Sequence, residues 1–438
     1  MKNRVKGSVM TMILSLLLFS TISTASAGQA MPVKKAENNR HKYVQVLDEG
    51  KWAPHTYKAV QSLIDKYGKN NPKYNPKKKP YAVFDWDNTN IMNDTEEALF
   101  VYLIDHLAYK LTPEEFSKII RKDVPPGEFS GEYKNLEGNP VTIEEIAADV
   151  DRDYQFLYQE LQRGKSLEEV TATDDFKDFK TKLLYMYEAI NDTHGANIGW
   201  KWILYFFTNM TREELQSLGE ASNDANLGRE LSKVTLKSPE SLKGEAGIVS
   251  SSYYTGIRLT PEMSNLMHTL QANGIDVFVV TASLGDLVEV FANNPKYGYN
   301  VPKNNILGMR LEMKDGNYEP YYKEDWPFTG MHGKTEVIQK EIASKKGGRG
   351  PILVAGDSNG DYEMMTEFSD TELVLIVNRV SGGNIGKLSA IAASQIGEKN
   401  ANYVLQGRDE NTGLWIPTEY TIKLGTNEKV LLTDVALK

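Results

Sequence analysis

An apolar run that ends abruptly in two acids constrains this chain more than any other stretch of its sequence. Residues 81–89 read YAVFDWDNT, so that an apolar segment leads directly into Asp85 and Asp87. A continuous apolar run of this length is typical of a parallel strand buried on both faces. In sheets of that kind, ligands bind at the carboxyl ends of the strands. We therefore predict a buried strand that delivers two carboxylates to a ligand site.

The two acids are expected to perform different chemistry. Residues two positions apart on extended backbone point to the same side of a sheet, but Asn88 and Thr89 favour a turn that separates the surroundings of Asp85 and Asp87. One carboxylate would then act as a nucleophile and the other would move protons. A bare pair of acids also fits an ordinary strand that ends in a solvated turn. Partners elsewhere in the chain must decide between these interpretations.

Such partners follow in the sequence. A second apolar run, residues 277–280, ends at Thr281, and small residues then lead into a helical pattern, an arrangement that suits a phosphate group. Lys334 opens another helical pattern. A third apolar run, residues 352–354, is followed by Asp357 and Asp361. The chain thus offers a phosphate-binding turn, a cation and a second acidic pair in addition to the first strand.

With these residues in place, the chain resembles the haloacid dehalogenase superfamily of phosphotransfer enzymes. Its four motifs are a strand-end DxDxT, a strand-end Thr or Ser, a Lys, and a strand-end acidic GDxxxD, and all occur in this order within residues 75–410. The resemblance implies an α/β fold with a Rossmann-like parallel sheet core. It also implies a large, mostly helical cap between the first and second motifs, which agrees with the 196 positions that separate Asp85 from Thr281.

The predicted organisation has three parts. Residues 1–27 are a signal peptide, because Lys2, Arg4 and Lys6 precede an apolar stretch that ends in small residues. Residues 28–92 and 255–438 form the catalytic core, and residues 93–254 form the cap. The chain contains no Cys, so no disulfide framework is expected. A secreted or extracytoplasmic location is expected, without stable membrane insertion after signal cleavage.

Several individual elements are also predicted within the core. Residues 306–311 and 318–322 flank a turn and indicate a β-hairpin. Residues 373–377 indicate the last buried strand. In the cap, residues 112–115 and 211–214 have the pattern of helix N-termini.

The resemblance assigns a role to each motif residue. Asp85 would attack phosphorus to form an aspartyl-phosphate, and Asp87 would protonate the leaving group and then activate water. Thr281 and nearby backbone amides would hold the phosphoryl oxygens, and Lys334 would compensate charge on the nucleophile and the phosphoryl group. Mg²⁺ would be held by Asp85, Asp357 and the backbone carbonyl of Asp87, as a hard cation with oxygen ligands. Asp361 would either support the metal through water or orient Lys334.

The charge of the chain argues against nucleic acid as a partner. Its formal net charge is −9, and removal of residues 1–27 would take away three positive charges and no acids, giving −12. Such an excess of acids repels a phosphate backbone. The expected partner is a small-molecule phosphomonoester.

Acids and aromatic residues of the cap suggest a substrate. Glu96 and Glu97 begin the first cap helix soon after Asp85, and together with aromatic side chains they could hold a quaternary ammonium group. Eight aromatic residues of the cap are considered for this role: Tyr102, Tyr154, Phe156, Tyr158, Trp200, Trp202, Tyr205 and Phe206. The motifs, the signal peptide and this cap entry resemble secreted phosphorylcholine-phosphatase-type enzymes. Most cap aromatics and both acids also fit core packing and helix capping. The alternatives are a broad-specificity acid phosphatase and a non-catalytic extracellular binding protein.

Overall fold

The computed structural model describes residues 45–433. The predicted signal peptide, residues 1–27, lies outside this range and stays a prediction. The helices are α1 Pro54–Tyr67, α2 Thr95–His106, α3 Pro113–Ile120, α4 Ile143–Gln162, α5 Leu167–Thr171, α6 Asp174–His194, α7 Ala196–Leu204, α8 Arg212–Leu227, α9 Pro261–Ala272, α10 Gly285–Ala292, α11 His332–Val337, α12 Tyr362–Thr366 and α13 Gly383–Ser394. The strands are β1 Tyr81–Phe84, β2 Ile91–Met92, β3 Ser232–Lys237, β4 Ser250–Thr255, β5 Arg258–Leu259, β6 Asp276–Leu284, β7 Ile306–Met309, β8 Leu311–Lys314, β9 Asn317–Tyr322, β10 Leu353–Gly356, β11 Leu373–Val377, β12 Tyr403–Gln406, β13 Arg408–Asp409, β14 Leu414–Trp415, β15 Thr421–Ile422 and β16 Lys429–Val430.

A parallel sheet of six strands forms the core, in the order β12-β11-β10-β1-β6-β7. The predicted α/β fold class is thereby confirmed. Strand β1 lies between β10 and β6, at the point where the strand order changes direction. Side chains alternate along each strand, so Ala82 and Phe84 pack with α1 and α9 while Tyr81 and Val83 pack towards α11, α12 and α13. Helices therefore cover both faces, and β1 ends at the crevice where such sheets bind ligands.

The cap is inserted between two short strands that pair with each other. The chain leaves the core at β2 and returns at β5, and these strands form an antiparallel pair. Helices α2 to α8 and the hairpin of β3 and β4 lie between them. The cap helices share one hydrophobic cluster, and both predicted N-termini have full capping boxes, Thr112 with Glu115 and Thr211 with Glu214. Within residues 45–433, no helix is long and apolar enough to cross a membrane.

Backbone hydrogen bonds attach the cap to the core at a second place. Asn209 N–H donates to the carbonyl of Tyr318 at 3.0 Å, and Tyr318 N–H donates to the carbonyl of Met210 at 2.9 Å. Arg212, at the start of α8, also forms ion pairs with Asp286 and Glu289 at 2.8 and 2.6 Å. Cap residues 209–211 thus extend the edge of hairpin strand β9, and the cap is held at both its neck and its far side.

A network of buried charges lies inside the cap. Lys182 is fully buried and donates to Asp149 and Asp178, at 2.8 Å in each case. Arg152 donates to Asp178 at 2.8 Å and to Asp153 at 2.7 Å. Asp149 also accepts backbone hydrogen bonds from residues 245 and 246. The network therefore connects α4, α6 and the loop before β4, at the desolvation cost that buried charges always carry.

The structure corrects three predictions about the core. The run 306–311 is not one arm of a hairpin, because β7 pairs in parallel with β6 and the hairpin starts at Leu311 in β8. Residues 373–377 are not the last strand of the sheet, since β12 pairs with β11 beyond them. Strand β6 does not stop at Thr281 but continues to Leu284, with a register shift after Val280. A small sheet of β13 to β16 was not predicted at all.

Candidate active site

Asp85 lies directly at the carboxyl end of β1. Its backbone N–H continues the parallel pairing by donating to Ala355 at 2.9 Å, and its side chain is only 6% exposed. Lys334 Nζ lies 2.5 Å from Asp85 Oδ1, and the Thr89 hydroxyl lies 3.1 Å from Asp85 Oδ2. The first acid is therefore fixed beside a cation from a distant part of the chain.

Asp87 has different surroundings, as the turn after β1 predicts. Its Oδ1 accepts the backbone N–H of Thr95, the first residue of α2, at 2.7 Å. Its Oδ2 accepts the Ser283 hydroxyl at 2.7 Å. Burial, followed by the neighbouring charge of Asp94, raises the pKa of Asp87 to about 8. A carboxyl group of this kind holds a proton near neutral pH, as a general acid must.

Thr281 and Lys334 approach the same place from two other elements. Thr281 is 1% exposed at the register shift of β6, and its Oγ1 accepts the backbone N–H of Ser283 at 3.1 Å. Lys334 is 2% exposed in the first turn of α11. The turn before it is tight, because a Cβ at Gly333 would lie 1.7 Å from the carbonyl oxygen of Phe328. That glycine lets the chain bring Lys334 towards Asp85.

The two acids of the second pair, Asp357 and Asp361, make different contacts. Asp357 Oδ1 lies 2.7 Å from the Thr89 hydroxyl, which places it next to Asp85. Asp361 Oδ1 accepts from Lys334 Nζ at 2.6 Å, while its Oδ2 accepts the backbone N–H groups of Asp357 and Ser358. Since Oδ1 of Asp361 binds the Lys334 ammonium group and its Oδ2 is fixed by two backbone N–H groups, the contacts favour orientation of Lys334 over the alternative of metal support through water.

The carboxylates form a set that fits a divalent cation. Asp85, Asp357 and Asp361 each offer an oxygen within 4.8 Å of the other two. Three carboxylates face two side-chain cations, because Lys334 contacts Asp85 and Asp361 while Arg379 contacts Asp357. Counted as formal charges, this leaves one negative charge even before a phosphoryl group arrives, and burial, followed by the charge of Asp361, raises the pKa of Asp85 well above its usual value when no cation is bound. Oxygen ligands with excess negative charge are what Mg²⁺ requires, and Asp85 and Asp357 would hold it.

A cavity of about 800 Å³ opens above these residues, and the cap forms one of its walls. Glu96 is buried, and its Oε2 accepts the backbone N–H of Leu284 at 2.7 Å. Glu97 is exposed to the cavity, where the Tyr187 hydroxyl donates to its Oε1 at 3.2 Å. Asp94 caps α2 by accepting from the N–H groups of both glutamates at 2.8 Å. Both candidate acids line the cavity, but Glu96 is buried and bound to the Leu284 N–H, so Glu97 is the more accessible one.

Comparison with known proteins gives two informative matches. The chain is 23% identical over 341 residues to a phosphorylcholine phosphatase of Pseudomonas aeruginosa, a match that covers 70% of this chain and 76% of that protein. A crystal structure of a conserved protein of unknown function from Anaerococcus prevotii is 36% identical, with a TM-score of 0.81, and the match covers 88% of this chain and all of that one. No family model matches the chain.

Two observations agree. One is the sequence match to a phosphatase, and the other is that the fold brings the four motifs together at one end of a parallel sheet. The chain resembles the haloacid dehalogenase superfamily in its parallel-sheet fold and in all four motifs. Both acids of the first motif, Asp85 and Asp87, are present in the chain. All of its motif residues, from Asp85 to Asp361, line or adjoin the one cavity described above.

Three residues around this site are not among those that the sequence predicts. Ser283 binds Asp87, although it stands only two positions after Thr281. Tyr187, from α6, lines the cavity together with Trp200. Arg379 donates to Asp357 Oδ2 at 2.8 Å. A usable signal existed for Arg379, because it follows strand β11 closely, as Asp85 follows β1.

Most of the aromatic residues predicted for the cap belong to its core. Of the eight considered, Trp200 alone lines the cavity, and the others pack in or against the cap's hydrophobic cluster. Those seven are Tyr102, Tyr154, Phe156, Tyr158, Trp202, Tyr205 and Phe206. The interpretation of these residues as core is therefore confirmed.

Proposed function

We propose that this protein is a phosphatase that hydrolyses phosphocholine, or a similar small phosphomonoester with a cationic group, outside the cytoplasm and with Mg²⁺ as cofactor. One observation carries the choice of substrate: Glu97 lines the same cavity as Asp85, and the aromatic side chains of Trp200 and Tyr187 line it too. A carboxylate beside aromatic faces is the environment that stabilises a quaternary ammonium group.

The first half of the reaction transfers the phosphoryl group to the protein. A carboxylate oxygen of Asp85 attacks phosphorus, and the bond from phosphorus to the leaving oxygen breaks. That oxygen takes the proton from Asp87, so the alcohol leaves neutral and Asp87 becomes a carboxylate. Thr281 and Lys334 hold the phosphoryl oxygens as charge redistributes, and little further covalent chemistry is required of the protein.

The second half releases phosphate. Asp87, now a carboxylate, takes a proton from water while the water oxygen attacks phosphorus of the aspartyl-phosphate. The bond between phosphorus and Asp85 breaks, which yields inorganic phosphate and restores both acids. The hydrogen bonds from Ser283 and Thr95 keep Asp87 in one orientation through both steps.

Mg²⁺, when bound, would neutralise the repulsion between a carboxylate nucleophile and a phosphoryl dianion. Asp85, Asp357 and the backbone carbonyl of Asp87 would hold it. Asp361 would act through Lys334, with which it shares a hydrogen bond of 2.6 Å. The roles of these residues follow from the superfamily resemblance together with their contacts.

Broad specificity is a second candidate, and the size of the cavity favours it. A volume of about 800 Å³ exceeds what a single choline-sized group fills. Arg408 and Lys423 lie in the wall near Arg379, so larger anionic phosphoesters would also find compatible groups. An export signal in residues 1–27 is compatible with either substrate range, and N-terminal sequencing of protein recovered from culture medium would test it.

A panel of phosphomonoesters tests the proposal. We expect kcat/KM for phosphocholine to exceed the values for phosphoethanolamine and glycerol phosphate. Similar values for all three would favour the broad-specificity candidate. Saturable binding of phosphocholine without release of phosphate would indicate a binding protein and would overturn the enzymatic proposal.

A further inference from the structure

Arg379 occupies a position that none of the four motifs accounts for. It follows strand β11 and reaches back to Asp357, where its Nη1 lies 2.8 Å from Oδ2. Its side chain also lines the cavity. A guanidinium group bound to a carboxylate oxygen forms a strong, directional hydrogen bond. The contact therefore restrains one particular oxygen of Asp357.

The other oxygen of Asp357 faces Asp85. Oδ1 lies 2.7 Å from the Thr89 hydroxyl, and the same hydroxyl lies 3.1 Å from Asp85 Oδ2. Asp357 is 2% exposed, so it has little freedom to rotate. The two oxygens are consequently unequal, because Oδ1 accepts from a neutral hydroxyl that can turn to Asp85 Oδ2 and release it to a cation, whereas Oδ2 is covered by the charged Arg379.

The backbone that carries Arg379 is held by the small C-terminal sheet. Lys423 Nζ donates to the Arg379 carbonyl at 3.1 Å. Asn378 is fully buried, its carbonyl accepts the Thr421 hydroxyl at 2.5 Å, and its amide donates to the Glu419 carbonyl at 2.8 Å. These bonds fix the base of the Arg379 side chain, which makes its withdrawal from Asp357 costly.

We propose that Arg379 is a positioning residue that limits Asp357 to a single ligand oxygen and so favours Mg²⁺ over Ca²⁺. The inference rests on the proposed function, in which Asp357 is a metal ligand. Ca²⁺ accepts about six to eight oxygens and readily takes both oxygens of a carboxylate, whereas Mg²⁺ requires a compact octahedron of single oxygens. A carboxylate with one oxygen covered meets the second requirement and not the first.

Isothermal titration calorimetry of the purified protein with MgCl₂ and with CaCl₂, in the absence of substrate, tests this inference. In Arg379→Met we expect the ratio of the Ca²⁺ to the Mg²⁺ dissociation constant to fall by about tenfold, the scale on which groups behind metal ligands tune affinity. Lys233→Met is the matched control. Lys233 lines the same cavity from exposed strand β3, and its loss changes the charge equally without contact to Asp357.

The outcomes separate the possible failures. If Arg379→Met changes both dissociation constants by the same factor, as a general charge effect would, the role of Arg379 is overturned while the metal site stands. If neither ion binds the unaltered protein, the proposed metal site itself fails. Arg379→Lys, which keeps the charge on a shorter side chain, serves if Arg379→Met does not fold, and an unchanged ratio in that variant would also overturn the inference.

Discussion

Ser283 donates a hydrogen bond from its hydroxyl to Asp87 Oδ2, with 2.7 Å between the two oxygens. The contact connects strand β6 to the turn that follows β1, although the two residues are 196 positions apart in the chain. Because Thr95 N–H binds the other oxygen, Asp87 is held from two sides. The orientation of the proposed proton donor thus depends on the second motif segment as well as on the first.

Ser283→Ala should lower kcat by roughly tenfold with little change in KM, since a well-placed acid–base group contributes on the order of 10² to 10⁴ in rate. The loss should be greater for an alkyl phosphate, whose leaving oxygen needs a proton, than for p-nitrophenyl phosphate. Steady-state kinetics with both substrates would check this. Equal losses would contradict a role that acts through Asp87.

Asp85→Asn should remove nearly all turnover, by at least about 10⁴-fold, because an amide is a poor nucleophile. The fold should persist, since Lys334 keeps its hydrogen bond to Asp361. Phosphate release and thermal unfolding of the same preparation provide the measurement. Substantial activity in a folded Asp85→Asn variant would contradict the proposed mechanism.

Removal of divalent metal should abolish turnover, and added Mg²⁺ should restore it. Binding to the folded state alone should also raise the melting temperature, because an ion at 100 times its dissociation constant adds about 2.7 kcal/mol. Differential scanning calorimetry with and without chelator would show the shift. If exhaustive chelation changes neither the melting temperature nor the turnover rate, the protein has no resident metal.

Glu97→Gln should lower kcat/KM for phosphocholine, by an amount equal to a loss of about 1 to 3 kcal/mol of transition-state stabilisation, because a charged contact is lost. The value for p-nitrophenyl phosphate should stay unchanged. Glu96→Gln is a matched control, since glutamine can still accept the Leu284 N–H that Glu96 binds. The control should affect both substrates alike. If Glu97→Gln also affects both equally, Glu97 does not hold the cationic group.

Stability should depend on pH through the charge network of the cap. Burial, followed by the nearby charge of Asp178, raises the pKa of fully buried Asp153 from 3.8 to about 8. The folded protein then keeps a proton that the unfolded chain has already released, so the free energy of unfolding should fall as pH rises from about 4 to 8. Asp153→Asn should reduce this slope, as measured by urea unfolding at several pH values. An unchanged slope would show that Asp153 is not its source.

The positions of the motif residues could be predicted from sequence because each stands next to a recognisable local pattern. Asp85 and Thr281 both follow apolar runs, and parallel strands bring such positions together whatever lies between them. Lys334 and Asp361 were recognised through the family resemblance, but their mutual hydrogen bond depends on tertiary structure. Strand β12 was overlooked because its short apolar segment stands between asparagine-rich residues and a glycine.

Other features depend on packing that no local pattern contains. Arg310 breaks the apolar run 306–311, and only the positions of β6 and β9 decide that the two sides join different sheets. Likewise Tyr187 and Trp200 face the cavity while Trp202 lies in the cap core, a choice set by how the cap helices pack. The spacing of aromatic residues could not distinguish these outcomes.

The backbone pairing between cap residues 209–211 and strand β9 affects how substrate enters the active site and how product leaves it. The cap is bonded to the core at two places, through the pairing of β2 with β5 and through Tyr318, and both connections restrain a hinge motion of the cap. With the cap restrained at both places, phosphoester and product would pass through an aperture whose width changes little. The cross-section of that aperture, and not the rate of a hinge, would set which molecules reach Asp85 at all.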